Sequence, residues 1–70
     1  MTTKFIAGCK YHHRKSLDTY IEVLKVEDHD EHFYLIVMMR KKSNDEILGD
    51  KEVGFCVLRD SLHEWNPWLK

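Results

Sequence analysis

The sequence is poor in the residues that break structure, with one proline and three glycines among 70 residues. Such scarcity, beside 43% hydrophobic residues, excludes wholesale disorder. Cysteine is scarce too: Cys9 and Cys56 cannot build a disulfide framework. They read as reduced thiols packed as small hydrophobes, with a Cys9–Cys56 bridge as the alternative in an oxidising compartment. No apolar run approaches the roughly 20 residues of a membrane span. The opening MTTKFIAG lacks the charged-then-apolar layout of a secretion signal. A cytoplasmic protein with no membrane partner is therefore expected. A basic excess is also missing. Eleven Lys and Arg face twelve Asp and Glu for a net charge of -1, which argues against a generic nucleic-acid binder.

What is present is organised around HFYLIVMMR, His32 to Arg40, with an unbroken apolar run from Phe33 to Met39. Its β-branched and aromatic residues favour a strand, and the turn-like DHDE and KKSND on either side bound it at strand length. A continuous apolar run predicts a strand covered on both faces, at the centre of a small curled sheet. The chain is one domain, short enough to hide only about 60% of the surface its unfolded form exposes.

The remaining segments supply its neighbours. Lys4 to His13 read as a first strand, with Gly8 at a bulge or bend. RKSLD is a turn. Thr19 to Glu27 form a second strand whose apolar phase switches, Ile21 and Val23 falling on one face and Leu24 and Val26 on the other; a bulge or sharp bend would reconcile them. After Arg40 the segment 41–52 is a polar loop, inside which Ile47-Leu48 is either a short ladder or an anchor. Val53 to Leu58 is the next strand, with Val53, Phe55 and Val57 on one face. Gly54 and Cys56 on the other face imply that something packs close there. Leu58, Leu62 and Trp65 share a helical face, and Ser61-x-x-Glu64 has capping-box form. Asn66-Pro67 then stops the helix, leaving a single turn over Asp60–Trp65. Trp68-Leu69 reads as a last short strand or a packed tail. These elements predict an all-β fold, a small SH3-like barrel of about five short antiparallel strands with one helical turn near the C-terminus.

The pattern resembles small phage and bacterial proteins with SH3-like barrels. The residues that carry the likeness are Tyr11-His12-His13-Arg14-Lys15, then Ile21, Val23 and Val26, then Phe33 to Met39. Phe55 through Leu58, Leu62 and Trp65 complete it, so that it spans about residues 8 to 65. The phase of the second strand and the long 41–52 loop depart from it. The resemblance implies the fold and a phage-encoded origin, and transfers no site.

Candidate chemistry is thin. Cys9, His12 and His13 fall short of the four converging ligands of a structural zinc site, since alternation puts Cys9 with Tyr11 and His13. Asp28-His29-Asp30-Glu31-His32 reads as a solvated acidic turn. A cysteine nucleophile would need a histidine base within hydrogen-bond reach, and Cys56 lies in an apolar strand. No enzyme, metal or cofactor is therefore expected. Charge placement says more. In an up-and-down meander, Arg14 and Lys15 should share one end with Arg40, Lys41 and Lys42. Glu27, Asp28, Asp30 and Glu31 should lie at the other, joined by Asp50 and Glu52. The expected function is non-catalytic protein binding, as a phage-type inhibitor or modulator of a host protein. Trp68, Tyr11 and Arg14 are the expected contacts, Lys15, Arg40 and Lys41 add electrostatics, and His12 and His13 add pH-sensitive charge. The alternative is nucleic-acid binding at the basic end, with Tyr11 or Tyr20 as a stacking platform. Self-pairing through an edge strand into a homodimer is a further alternative.

Overall fold

A computed structural model describes residues 5–69. The chain is all-β: β1 (Lys10–His13), β2 (Thr19–Asp28), β3 (His32–Lys41), β4 (Ile47–Leu58), a 3₁₀ turn (Arg59–Glu64) and β5 (Trp65–Pro67). The strands form one antiparallel sheet in the order β4-β3-β2-β1-β5, the expected SH3-like meander. Among the described residues no helix is long and apolar enough to cross a membrane.

Alternation decides what the sheet buries. Ile21 and Val23 of β2, Phe33, Leu35 and Val37 of β3 and Val57 of β4 all turn to one face and close a core with Phe5, Tyr11, Leu62 and Trp65. The phase switch in β2 is a bulge: the register with β3 slips between Val23 and Lys25. The slip lets Val26 pack against the same core as Val23, while Leu24 is left at the surface. The other face of β3 is less covered than its apolar run implies. Tyr34, Ile36 and Met38 are only half-buried. The small residues of β4 do make room for a neighbour. Tyr34 lies across Gly54, where an added Cβ would overlap its hydroxyl.

Several local expectations change. β1 begins at Lys10; Lys4 lies outside the described residues. Gly8 adopts φ 92° in a turn closed by the Cys9 N–H donating to the Ile6 carbonyl (3.1 Å), a conformation that suits glycine. That turn sends Phe5 back into the core, edge-on to Tyr11 with centroids 4.9 Å apart. Ile47 and Leu48 do form a short ladder, opposite Arg40 and Met39, so β4 starts there. Residues 49–52 bulge opposite Met38. The register therefore sets Glu52 beside the middle of the sheet, away from the acidic turn it was expected to join. The capping box does not form, and no side chain caps the 3₁₀ turn. Of its apolar face Leu62 and Trp65 are buried, but Leu58 is exposed. The last strand is Trp65–Pro67, and Trp68 follows it. Cys9 and Cys56 are free thiols at the surface, not packed hydrophobes.

The charged ends are arranged as the meander requires. Lys42 ties the third connection to the first, its N–H donating to the Asp18 carbonyl (2.7 Å) and its ammonium to that of Ser16 (2.8 Å). At the opposite end Arg59 clasps the 28–31 turn. Its guanidinium donates to the His29 and Asp30 carbonyls (2.7 and 2.9 Å), pairs with the Asp28 carboxylate and stacks on Phe33. Arg59→Ala is expected to cost about 1 kcal/mol, since the pairing is solvent-exposed. Hydrogen exchange should rise at residues 28–32 and not in β1; uniform acceleration along the chain would contradict a local clasp.

Candidate functional site

The sheet curls until its two edges face each other, but it does not close. Phe55 of β4 meets Trp65 of β5 edge-to-face (5.5 Å between centroids, 78°) with no ladder joining the strands. The reason lies in β5. The Trp68 N–H donates to the Lys10 carbonyl (2.9 Å) and the Arg14 N–H to that of Glu64 (2.8 Å). By alternation, the backbone groups of Trp65 and Pro67 therefore point away from β1, toward the seam. The Trp65 N–H is taken by the Leu62 carbonyl, and proline has none. The free side of β5 offers carbonyls but no donor, so it cannot complete a two-way ladder with β4, and the two strands are not paired.

The other side of the seam is the reverse. The Arg59 N–H donates to the Glu31 carbonyl (3.1 Å), so odd-numbered residues of β4 bond to β3, and the N–H and C=O groups of Gly54 and Cys56 and the N–H of Leu58 point outward; the Leu58 carbonyl caps the 3₁₀ turn. From Val53 to Leu58 this edge has no charge and no proline, and among the described residues no strand pairs with it. Natural edges are usually blunted by such devices. Here only the 49–52 bulge interrupts it.

Between the edges runs an apolar groove. Ile21, Met39, Phe55 and Trp65 line a cavity of about 440 Å³ with Lys15, Ser16 and Thr19 at its mouth. A shallower extension of about 270 Å³ continues along Phe55–Leu58 past Ser61 and Glu64. His13 borders both parts. Its Nδ1 accepts the Lys15 N–H (3.1 Å) and its Nε2 lies 3.4 Å from Glu64, so both ring nitrogens are occupied.

The residues singled out from the sequence are spread over both faces. Lys15 stands at the mouth of the groove. Arg14 is close by, 3.9 Å from Glu64. Tyr11 is a correction: its ring is in the core at 4% exposure, its hydroxyl accepts the Ile6 N–H (2.9 Å), and burial raises its pKa. It cannot serve as a contact. Nor can Tyr20 stack on a base, being 2% exposed. Trp68 turns onto the outer face, stacked on Tyr20 (5.7 Å) with the Lys42 ammonium over it (4.7 Å). It is half-buried and folds back over the sheet, so it is a lid more than a projecting anchor. His12 packs edge-on to it, and Lys42 donates to His12 Nδ1 (3.0 Å). Burial, and then the Lys42 charge, lower the His12 pKa. Both causes favour the neutral imidazole over the pH-sensitive charge expected of it. Arg40 is held by Glu22 (3.0 Å) and the Asp45 carbonyl (2.9 Å), and Lys41 lies 3.8 Å from Glu46. Much of the basic end is thus internally neutralised. Among the described residues no three His, Cys, Asp or Glu side chains converge as a metal-binding group.

Of the groove residues, Ile21 and Phe55 were legible as sharing a strand face with other apolar residues, Trp65 as part of a helical face and Met39 as part of the central apolar run, but none as a site. Only the failure of β5 to pair with β4 exposes them together. Pro67, so near the chain's last tryptophan, was the available signal. No protein-family model, curated protein or solved structure matches the chain.

Proposed function

We propose that the protein is a non-catalytic binding module that captures an extended segment of a partner protein, adding it to the sheet alongside β4. The observation that carries this reading is the asymmetry of the seam. One edge presents the outward donors and acceptors of Gly54 and Cys56 and the Leu58 N–H, with no strand paired to them among the described residues; the facing edge has carbonyls but no donor to match the acceptors. An incoming strand would gain main-chain hydrogen bonds along Gly54, Cys56 and Leu58, while alternate side chains enter the groove over Phe55 and Trp65. The likeness to small phage and bacterial SH3-like barrels supports a narrower reading, in which the partner is a host protein that a phage-encoded factor inhibits or redirects in the cytoplasm.

The test is a selection from a random seven-residue peptide library, followed by amide spectra of ¹⁵N-labelled protein with the enriched peptides. Shifts and slowed exchange at Gly54, Cys56 and Leu58 are expected. Cys56→Pro removes one outward donor at a position where an edge strand tolerates proline. It should fold and bind at least roughly tenfold more weakly, since a hydrogen bond and its neighbours are lost. Binding that leaves these amides unmoved, or oligonucleotide binding that weakens steeply with salt in place of peptide binding, would overturn the reading.

A further inference from the structure

The groove also carries information on which segment it accepts. The cations near it differ in whether they are matched. Arg14 lies beside Glu64, Lys41 beside Glu46 and Arg59 beside Asp28. Lys42 is engaged by His12, the Ser16 carbonyl and the Trp68 ring. Lys15 stands at the mouth of the apolar cavity, and no carboxylate lies within ion-pair distance of it among the described residues. An apolar trough ending in an unmatched ammonium is complementary to a segment with an apolar side chain followed by a negative charge.

Strand geometry fixes the order. β4 runs from the Lys15 end of the groove toward the 3₁₀ turn, as Leu48 pairs with Met39 and Leu58 with His32. Antiparallel addition, the commoner mode, would bring the incoming strand's C-terminal part to Lys15. Side chains two apart share a face, roughly 7 Å from one to the next. The 49–52 bulge ends the exposed ladder at Val53, where the incoming chain must leave the edge and pass the mouth.

Resting on the strand-addition reading, we infer that the groove selects an extended partner segment whose apolar residue fills the cavity over Phe55 and Trp65 and is followed two positions later by a carboxylate on Lys15. The carboxylate is an Asp or Glu side chain or the segment's own C-terminus.

The experiment uses the full chain, a random seven-residue library displayed with a free C-terminus, and the same library followed by a neutral spacer. Enriched peptides should show an apolar residue and then, two positions on, an acidic residue or the chain end. Lys15 is exposed and its replacement leaves the core untouched, so Lys15→Gln should fold like the parent. It should bind the enriched peptides roughly three- to tenfold more weakly and lose most of their salt sensitivity. Amidating the C-terminus of a synthetic peptide separates the two sources. A matching loss assigns the chain end; no loss, with loss on Asp→Asn or Glu→Gln, assigns the side chain. If Gly54, Cys56 and Leu58 respond to peptide but Lys15→Gln binds within twofold of the parent, the carboxylate inference fails and strand addition stands. If those amides respond to no peptide, both fail.

Discussion

Trp65→Ala is expected to remove about 3–5 kcal/mol of stability, the range for deleting a large buried aromatic. The indole is 8% exposed and touches three other rings, Phe5, Phe55 and His13 edge-on, at 6.0, 5.5 and 5.1 Å, within the core that also holds Leu62. It is also the residue through which the two edges of the open sheet meet. A chain of this length has only of order 4–10 kcal/mol in total. The variant should therefore unfold at a much lower urea concentration, with a melting temperature lowered by about 15 °C or more. Trp68→Ala is the internal control. That ring is only half-buried on the outer face, and its loss should cost about half as much or less. Equal costs would mean that the outer face contributes as much as the seam.

The second large effect is alkaline. Tyr20 is buried beside Asp45, to which its hydroxyl donates (2.6 Å). Burial, then the hydrogen bond and charge of Asp45, push its pKa up from 10 to about 12. The sign follows from linkage: the folded protein holds this proton more tightly than the unfolded chain. Its contribution is complete below pH 10 and is lost as pH rises toward 12, by an amount of order 2 kcal/mol. Tyr11, raised mainly by burial, adds in the same direction. Urea unfolding at a series of pH values should show stability falling through this window. In Tyr20→Phe the fall should be shallower, although that variant starts lower at neutral pH because Asp45 loses a donor. An unchanged alkaline slope in Tyr20→Phe would show that the buried phenol is not its source.

Much of the fold could be read from particular residues. The phase break between Val23 and Leu24 announced the β2 bulge, because inward positions cannot change parity without an extra residue. Gly54 announced the ring that crosses it. The alternating ends of a meander placed Lys42 against Ser16 and Asp18. The candidate site was less legible, for physical reasons. Tyr11 alternates with Lys10 and His12 whether it faces the core or a partner. Trp65 and Trp68 are three residues apart, and which one projects depends on where β5 begins. The capping box Ser61-x-x-Glu64 lost to a tighter 3₁₀ turn, in which Glu64 faces His13 and Arg14 instead. Closure of the seam was beyond reach, since it depends on which way single N–H groups of β5 point.

The two tryptophans end up on opposite faces of one sheet, Trp65 at the seam and Trp68 beneath the Lys42 ammonium. The molecule therefore carries two intrinsic optical reporters, each confined to its own surface. Trp68→Phe would leave an emission spectrum belonging to the groove alone, blue-shifting as an apolar side chain displaces water there. The complementary Trp65→Phe would report the outer face, where a neighbouring histidine and lysine sit close enough to modulate quenching.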